Sequence, residues 1–453
     1  MIEVELKAET SVAPETLASH AALMCYQSDV PEMGKKIDVK ARLFDTGHHT
    51  TFQHSYFSFS IKGIAVGDTT FGLHLCSPFY NSDQRSGRYS KMFDHPDMDE
   101  IREYISALWP DLPSLVMDDI IAYVSKGAEI YQKNIAAATV KAREFLAKER
   151  PFASAKYLDA TAPKIAQEQL RNFIPVIAPT ALDFTVNLSA LSALWLSAFT
   201  PAMRDVTDKM VAEVLKSHPE LSFMFNSGNR RTTDWQIKGF EYTFIGRSPV
   251  AELGGVFGSE MAADISMSHP VDLLHFSPEM MGNRVRTVES YVEMSVATMG
   301  QDQRHRTLHR SEPYFTGGFY LPPVADAIGL ESEAKLYMQQ WSDFAAVLPS
   351  SLHMVLAPYG AMVAYRKQGD FAAIAHEMAK RGCFCAQSEI YEIARHLRAQ
   401  LTRSCNGVAG LLPALQPPCY STGKCGEGSR YCGRDLSLRK SEDPNAYFPE
   451  RKV

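Results

Sequence analysis

Gln301-Asp302-Gln303-Arg304-His305-Arg306 sets three cationic or ionisable side chains in a row, with an amide three residues ahead. Such a compact donor array suits a phosphate or an anionic ring, because planar guanidinium forks grip two oxygens at once. Three further places could contribute to the same chemistry: the turn Ser86-Gly87-Arg88-Tyr89, Arg171 ahead of Pro175, and Arg381 ahead of Ala386-Gln387. Each also has a plain reading. An isolated Arg-His-Arg is a solvated basic turn, Ser-Gly is a common turn pair, and Arg171 would suit a helix C-terminus, where cations are favoured.

A second constellation lies near the end. Of eight cysteines, Cys383, Cys385, Cys405, Cys419, Cys425 and Cys432 fall in the last fifth of the chain. Cys405, Cys419, Cys425 and Cys432 belong to a Gly/Pro-rich segment too irregular to build its own core, and four thiolates holding Zn would supply folding energy there. An iron–sulfur cluster and unligated thiols are the other two readings, since the spacing is not the usual Cys-x2-Cys knuckle. Cys383 and Cys385, beside Arg381, read as buried packing residues. His48 and His54 read as structural histidines.

The rest of the chain must position these groups. Its 453 residues are 45% hydrophobic and 22% charged, enough for two domains with a sizeable core. The net charge of −6 and pI of about 6.2 exclude a global field that would draw the protein to nucleic acid or an anionic membrane. Anionic ligands must be held by local groups. The N-terminus lacks the apolar run of a signal peptide, and the longest apolar stretch, Val186 to Phe199, falls short of the roughly 20 residues a spanning helix needs. A cytoplasmic protein is expected.

Alternation predicts strands at 2–8 and Tyr56–Ile61, and again at Phe240–Phe244. Helical spacing covers about 97–170, 185–199, Met203–Leu215, Phe371–Lys380 and Ala386–Leu401, and a helix from Val285 or Thr287 leads into residues 301–306. Ser248–Leu253 repeats the type and spacing of Ser11–Leu17, a helix start. Asn226–Thr233 reads as a linker, after which the order of elements restarts, so a long-period duplication is expected.

Gly47-His48-x-Thr50-x-Phe52-Gln53-His54, Ser86-Gly87-Arg88-Tyr89, Arg171-x-x-Ile174-Pro175 and Thr185-Val186-Asn187 resemble successive signatures of the flavin-dependent thymidylate synthases. The family's Arg-His-Arg triplet is replaced by Leu73-His74-Leu75 in the first copy, and its final Arg by Ser197. In the second copy Arg304-His305-Arg306 and Gln301 keep the triplet, Arg381-x4-Ala386-Gln387-x-Glu389-Ile390 keeps the final helix, and Glu312–Gly317 stands where the Ser-x-Arg-Tyr box would be. Each half keeps what the other has lost.

The resemblance implies an α+β fold of two tandem flavin-dependent thymidylate synthase-like domains, 1–225 and 237–403, with a cysteine-rich tail, 404–453. It implies that Gln301, Arg304, His305 and Arg306 bind FAD. Ser86, Gly87, Arg88, Arg171, Gln301 and Arg381 would bind deoxyuridine monophosphate, with Arg304, Arg381 and Ser86 closest to the chemistry. Methylenetetrahydrofolate would supply the carbon and NADPH the reducing equivalents, without an enzymic nucleophile. A homodimer would stand in for the family tetramer. The other functions left open are a flavoenzyme acting on another pyrimidine nucleotide or transferring another one-carbon unit, and a non-catalytic nucleotide-binding homologue.

Overall fold

The structure is a computed structural model, and it describes all residues except 76–79, 89, 91–92, 94–95, 239–243, 245, 247, 258–284, 405–414, 427, 429–430 and 444. Two antiparallel sheets carry the architecture. In the first, β1 (Glu3–Glu9), β2 (Tyr56–Ala65), β3 (Tyr80–Gln84) and β4 (Pro179–Asn187) take the order β1-β2-β4-β3. In the second, β5 (Val250–Phe257), β6 (Thr287–Ser295), the two-residue β7 (His309–Arg310) and β9 (Ala361–Asp370) take the order β5-β6-β9-β7, and β8 (Tyr314–Phe319) also pairs with β9. Taken strand by strand along the chain, the two orders are the same.

The strands follow from period-two patterning. In β2, Phe57, Phe59 and Ile61 are buried while Ser58, Ser60 and Lys62 face outward. In β6, Val288, Ser290, Val292 and Met294 alternate inward in the same way. Between β3 and β4 run three helices: α1 aside (Pro14–Tyr26), these are α2 (Met98–Leu108), α3 (Ser114–Glu149) and α4 (Ala155–Leu170). The 36-residue α3 buries Ile120, Val124, Tyr131, Ala138, Ala142 and Leu146, a stripe at helical spacing. Tyr123 on α3 stacks on Tyr337 of the helix Glu331–Asp343 with ring centroids 4.4 Å apart. Gly127 permits this contact, because a Cβ there would collide with the Phe173 carbonyl and the Tyr337 hydroxyl.

The two sheets meet along the segments that lead into β4 and β9. Tyr359 N donates to the Ile174 carbonyl (2.9 Å), Val176 N to the Ala357 carbonyl (2.8 Å), and Pro175 faces Pro358 in an antiparallel bridge. Apolar residues of both halves form one continuous core.

Three local expectations change. Residues 185–187 end β4, and the apolar helix is Leu188–Ser197, capped by the Asn187 side chain. The stretch from Thr287 is strand, not helix; only Val296–Asp302 (α5) is helical before the basic turn. Thr, Val and Tyr favour the extended form there, and the Ser295 cap starts the helix late. Ser248–Leu253 does not begin a helix, since Val250–Phe257 is β5 paired to β6. The strand expected at Phe240–Phe244 lies almost wholly outside the described residues. Helices Phe371–Arg381 (α6) and Ser388–Ser404 (α7) fall where spacing put them.

The tail does have apolar partners. Cys419, Cys432, Tyr447 and Phe448 share a small cluster with Phe384, Ala386, Ile390 and Tyr391. Arg434 lies over the Tyr447 ring at 3.6 Å and the Phe384 ring at 4.0 Å. Among the described residues no helix is long and apolar enough to cross a membrane.

Candidate active site

A cleft of about 120 Å³ opens between the two sheets. Ser86, Gly87, Arg88 and Arg171 line it from the first half, and Gln301, Arg304, Tyr359 and Arg381 from the second. The residues singled out in two distant parts of the sequence therefore face one cavity within a single chain.

Each is placed by a local cause. Ser86 accepts a hydrogen bond from Arg88 N (3.3 Å), and its carbonyl accepts from Ser90 N (2.9 Å), which closes the turn after β3. A Cβ on Gly87 would lie 2.8 Å from Phe93 and 3.1 Å from Arg171 Nη1, so this close approach requires glycine. Arg88 Nε donates to the buried Glu168 carboxylate at the end of α4, and Arg88 Nη2 to the Cys385 carbonyl (3.1 Å). Arg171 follows α4 directly. It is 5% exposed, donates through Nη2 to Gln387 Oε1 (3.0 Å), and lies 5.4 Å over the Tyr359 ring. Burial lowers its pKa, but a guanidinium stays protonated at any physiological pH.

Residues 301–306 owe their shape to an acid inside the basic run. Asp302 is fully buried and accepts from Arg310 Nε (2.6 Å), Lys367 Nζ (2.9 Å) and Tyr365 OH (2.8 Å). Burial alone would raise its pKa; Arg310 and Lys367 overcome that and hold the carboxyl well below its ordinary value. Its carbonyl accepts from His305 N (3.0 Å) and turns the chain.

The triplet is then divided among three tasks. Arg304 reaches the cleft. His305, 4% exposed, accepts at Nε2 from Arg381 Nε (2.9 Å); burial and the Arg381 charge push its pKa well below the ordinary histidine value. A neutral ring accepting at Nε2 carries its proton on Nδ1. Arg306 donates to Asn81 Oδ1 (3.1 Å) and to the Ser82 carbonyl (3.0 Å), and lies 5.0 Å over Tyr80, so it ties the second half to β3. His74, the histidine of the first-half Leu73-His74-Leu75, pairs through Nε2 with Ser82 Oγ (2.8 Å). Burial, with Arg306 and Arg304 nearby, pulls its pKa down to about 3.

Arg381, at the end of α6, also donates to the Gln301 carbonyl (2.6 Å), and burial moves its pKa down to about 10. Gln301 Nε2 donates to Gln387 Oε1. Gln387 in turn donates to Thr298 Oγ1 (3.3 Å), and the buried Glu389 accepts from Ser295 N, Ser295 Oγ and Thr298 Oγ1, each at 2.6 Å. Gln387, Glu389, Glu168 and Tyr359 thus build the site although they were not among its expected residues. Gln387 and Glu389 sat inside a quoted signature, and Glu168 precedes Arg171 by one helical turn. Tyr359 carries no local sequence signal.

The donor set fits an anionic ligand. Arg88, Arg171, Arg304 and Arg381 converge from four elements, and the carboxylate of Glu168 is engaged by Arg88. Among the described residues, Arg171 Nε and Gln301 Oε1 in this lining are buried without hydrogen-bond partners, a donor and an acceptor suited to a phosphorylated ring. Arg304 stands on the wall between this cleft and the groove beside His74 that Ser82 and Arg306 also line.

The tail thiols are arranged differently from the expected set. The Cys385 thiol touches those of Cys383 and Cys432, and Cys419 Sγ contacts Tyr447 OH at 3.2 Å. Cys405 lies outside the described residues. Among the described residues no group of three or more His, Cys, Asp or Glu side chains is placed to hold a metal ion.

Residues 6–220 match the family model described as thymidylate synthase complementing protein. Among solved structures, the chain is similar to thymidylate synthase X from Helicobacter pylori with FAD and dUMP, at 17% identity and a TM-score of 0.35, covering 50% of this chain and 100% of that one. It is also similar to a UMP/dUMP methylase from Streptomyces cacaoi bound with 5-Br dUMP, at 15% identity and a TM-score of 0.32, covering 49% and 95%. No curated protein matches the chain.

Proposed function

We propose, from the match of residues 6–220 to the thymidylate synthase complementing proteins, that the chain is a flavin-dependent enzyme that methylates deoxyuridine monophosphate to thymidine monophosphate. The observation that carries the proposal is the shared cleft, in which Ser86, Arg88 and Arg171 meet Gln301, Arg304 and Arg381. The matching sheet orders support reading the chain as two tandem copies of one domain.

Ser86, Arg88 and Arg171 hold the phosphate, and the Gln301 amide and Arg381 face the pyrimidine. Arg304 would hold FAD, with Arg306 fixing the neighbouring wall through Asn81 and Ser82. When bound, the flavin supplies a hydride, with methylenetetrahydrofolate giving the carbon and NADPH restoring the reduced flavin. The protein's own part is electrostatic: cations fixed around the ring stabilise negative charge as C5 becomes nucleophilic. His305, neutral and buried, orients Arg381 rather than moving a proton.

A homodimer carrying two such clefts is the proposed assembly, and the cytoplasm the proposed location. A structural metal in the tail remains a proposal on Cys405, Cys419, Cys425 and Cys432, tested by the metal content of the purified protein.

The functional test joins spectrum and ligand binding. The purified protein should be yellow; Arg304→Ala should lose flavin, while Arg88→Ala should keep flavin and lose nucleotide. Mass analysis after incubation with the nucleotide, methylenetetrahydrofolate and NADPH should show one added methyl group. If both variants retain both ligands, the shared cleft is not the site. Turnover of UMP but not dUMP would move the substrate to a ribonucleotide.

A further inference from the structure

Behind Arg88 lies a second cavity, about 480 Å³, walled by α4 on one side and Phe384, Cys385 and Ala386 on the other. We propose that it binds the multiply charged anionic tail of a cosubstrate whose reactive end reaches the nucleotide cleft. The two cavities share Arg88 as a common wall.

The cavity's character comes from one face of α4. Lys156, Ala160 and Lys164 recur at four-residue spacing and so stand one above the other, with Thr161 and Glu168 continuing the same lining. Arg150 lines the cavity as well. It is only 2% exposed, and its guanidinium donates to Tyr157 OH (2.6 Å), the Phe384 carbonyl (3.0 Å) and the Val453 main-chain oxygen (3.4 Å). Arg150 Nε has no hydrogen-bond partner among the described residues, and neither has Glu168 Oε1. An unpartnered N–H on a buried guanidinium is uncommon unless something else satisfies it.

Four cations therefore line the cavity against one carboxylate, which is already engaged by Arg88. Two lysines on the helix and a buried arginine suit a chain of negative groups rather than a single phosphate. Ala160 between the lysines leaves room for it. Tyr157 and Phe384 add apolar and aromatic surface for the atoms between the charges. Phosphates of a pyridine dinucleotide and the carboxylates of a polyglutamylated folate share this chemistry. The choice of these probes rests on the methylation reading; the anion site itself rests on the cavity.

The test compares the full chain with the Lys156→Ala/Lys164→Ala double variant. NADP+, tetrahydrofolate triglutamate and dUMP are each titrated at equilibrium. At least one of the two larger anions should bind about tenfold more weakly to the variant, with dUMP affinity changed less than twofold, and the loss should shrink at high salt. The larger anion that loses affinity identifies the tail; loss of both means that the cavity receives both. The proposal is overturned if neither binds the unaltered protein, if neither is weakened by the substitutions, or if dUMP is weakened in parallel. Failure of the unaltered protein to bind dUMP, with lysine-dependent anion binding intact, would sink the methylation reading and leave this site standing.

Discussion

Asp302→Asn tests the view that one buried acid organises the basic turn. Asp302, Glu377, Lys367 and Arg310 form a closed set with no net charge: Lys367 Nζ lies 2.9 Å from Asp302 and 2.7 Å from Glu377, and Arg310 Nε 2.6 Å from Asp302. Asparagine keeps the shape and still accepts from Tyr365 and Arg310, but leaves two buried cations against one acid. Removing one member of a buried pair costs about 3–5 kcal/mol, and the retained hydrogen bonds put this case near the lower end. Adding Lys367→Met restores the balance, so the double variant should be more stable than the sum of the two losses by about 2 kcal/mol. Urea unfolding midpoints of the four proteins give the cycle.

The pH dependence has a fixed sign. A folded-state pKa held below the unfolded value of about 3.9 gives stability that is complete above pH 4 and is lost as pH falls toward the folded value. The unaltered protein and Asp302→Asn should therefore converge below pH 4. Nucleotide affinity should fall in the variant, because the turn that carries Gln301 and Arg304 is pinned by Asp302. Strictly additive losses, or a cost below about 1 kcal/mol for Asp302→Asn, would show that the cluster does not hold the turn.

Asp68 makes the opposite pH prediction: burial pushes its pKa up to about 7 even though Tyr104 OH donates to it at 2.6 Å. Its protonated form favours folding below about pH 4, and that contribution, roughly 4 kcal/mol at 1.36 kcal/mol per tenfold in proton affinity, is lost as pH rises through 7. Asp68→Asn should flatten thermal stability between pH 5 and 8; an unchanged slope would refute it. His305→Phe removes the acceptor that orients Arg381 while keeping ring volume, so kcat should fall about tenfold or more with little change in KM for the nucleotide, as read by steady-state kinetics.

Much of the site was legible because its residues are chemically unusual in sequence. Arginines beside small turn residues at Ser86-Gly87-Arg88, and a Gln before Arg-His-Arg, are local patterns that survive without knowledge of the fold. What the pattern could not convey is how each arginine is spent. Arg306 points to Asn81 and Ser82, and His305 to Arg381, because Asp302 rotates the turn around a buried network whose other members, Lys367 and Glu377, are some sixty to seventy-five residues away. The helix expected from Thr287 failed for a related reason. Residues 287–302 mix apolar and small polar types, so periodicity alone did not separate the strand from the short helix that follows; pairing of β6 with β5 and β9 on both sides decides it. Cys383 and Cys385 are not buried packing residues: Cys385 is exposed, and its thiol contact with Cys432 depends on the tail folding back onto residues 384–391, which no local spacing announces.

On the duplication reading, a counterpart of the cleft should exist with the roles of the two halves exchanged, and its lining decides how many nucleotides one chain binds. A cavity of about 330 Å³ occupies that place, lined by Leu75, Phe199, Trp235, Arg231, Arg310 and Glu312. Leu75 stands at the position of Arg306 and Phe199 two residues beyond Ser197, the position of Arg381. Arg310 is already committed to buried Asp302, and Trp235 Nε1 donates to Glu312 at 2.6 Å. Arg231 Nε is spent on the Thr233 carbonyl (2.8 Å), so aromatic rings and a carboxylate outweigh one guanidinium here where the cleft offers four, and desolvating a dianion against such a surface is unfavourable. Equilibrium titration with deoxyuridine monophosphate should therefore give one nucleotide per chain, and Arg171→Met should abolish that single event. Two equivalent sites per chain would mean that the apolar cavity also binds nucleotide, and that the two halves have not divided the work.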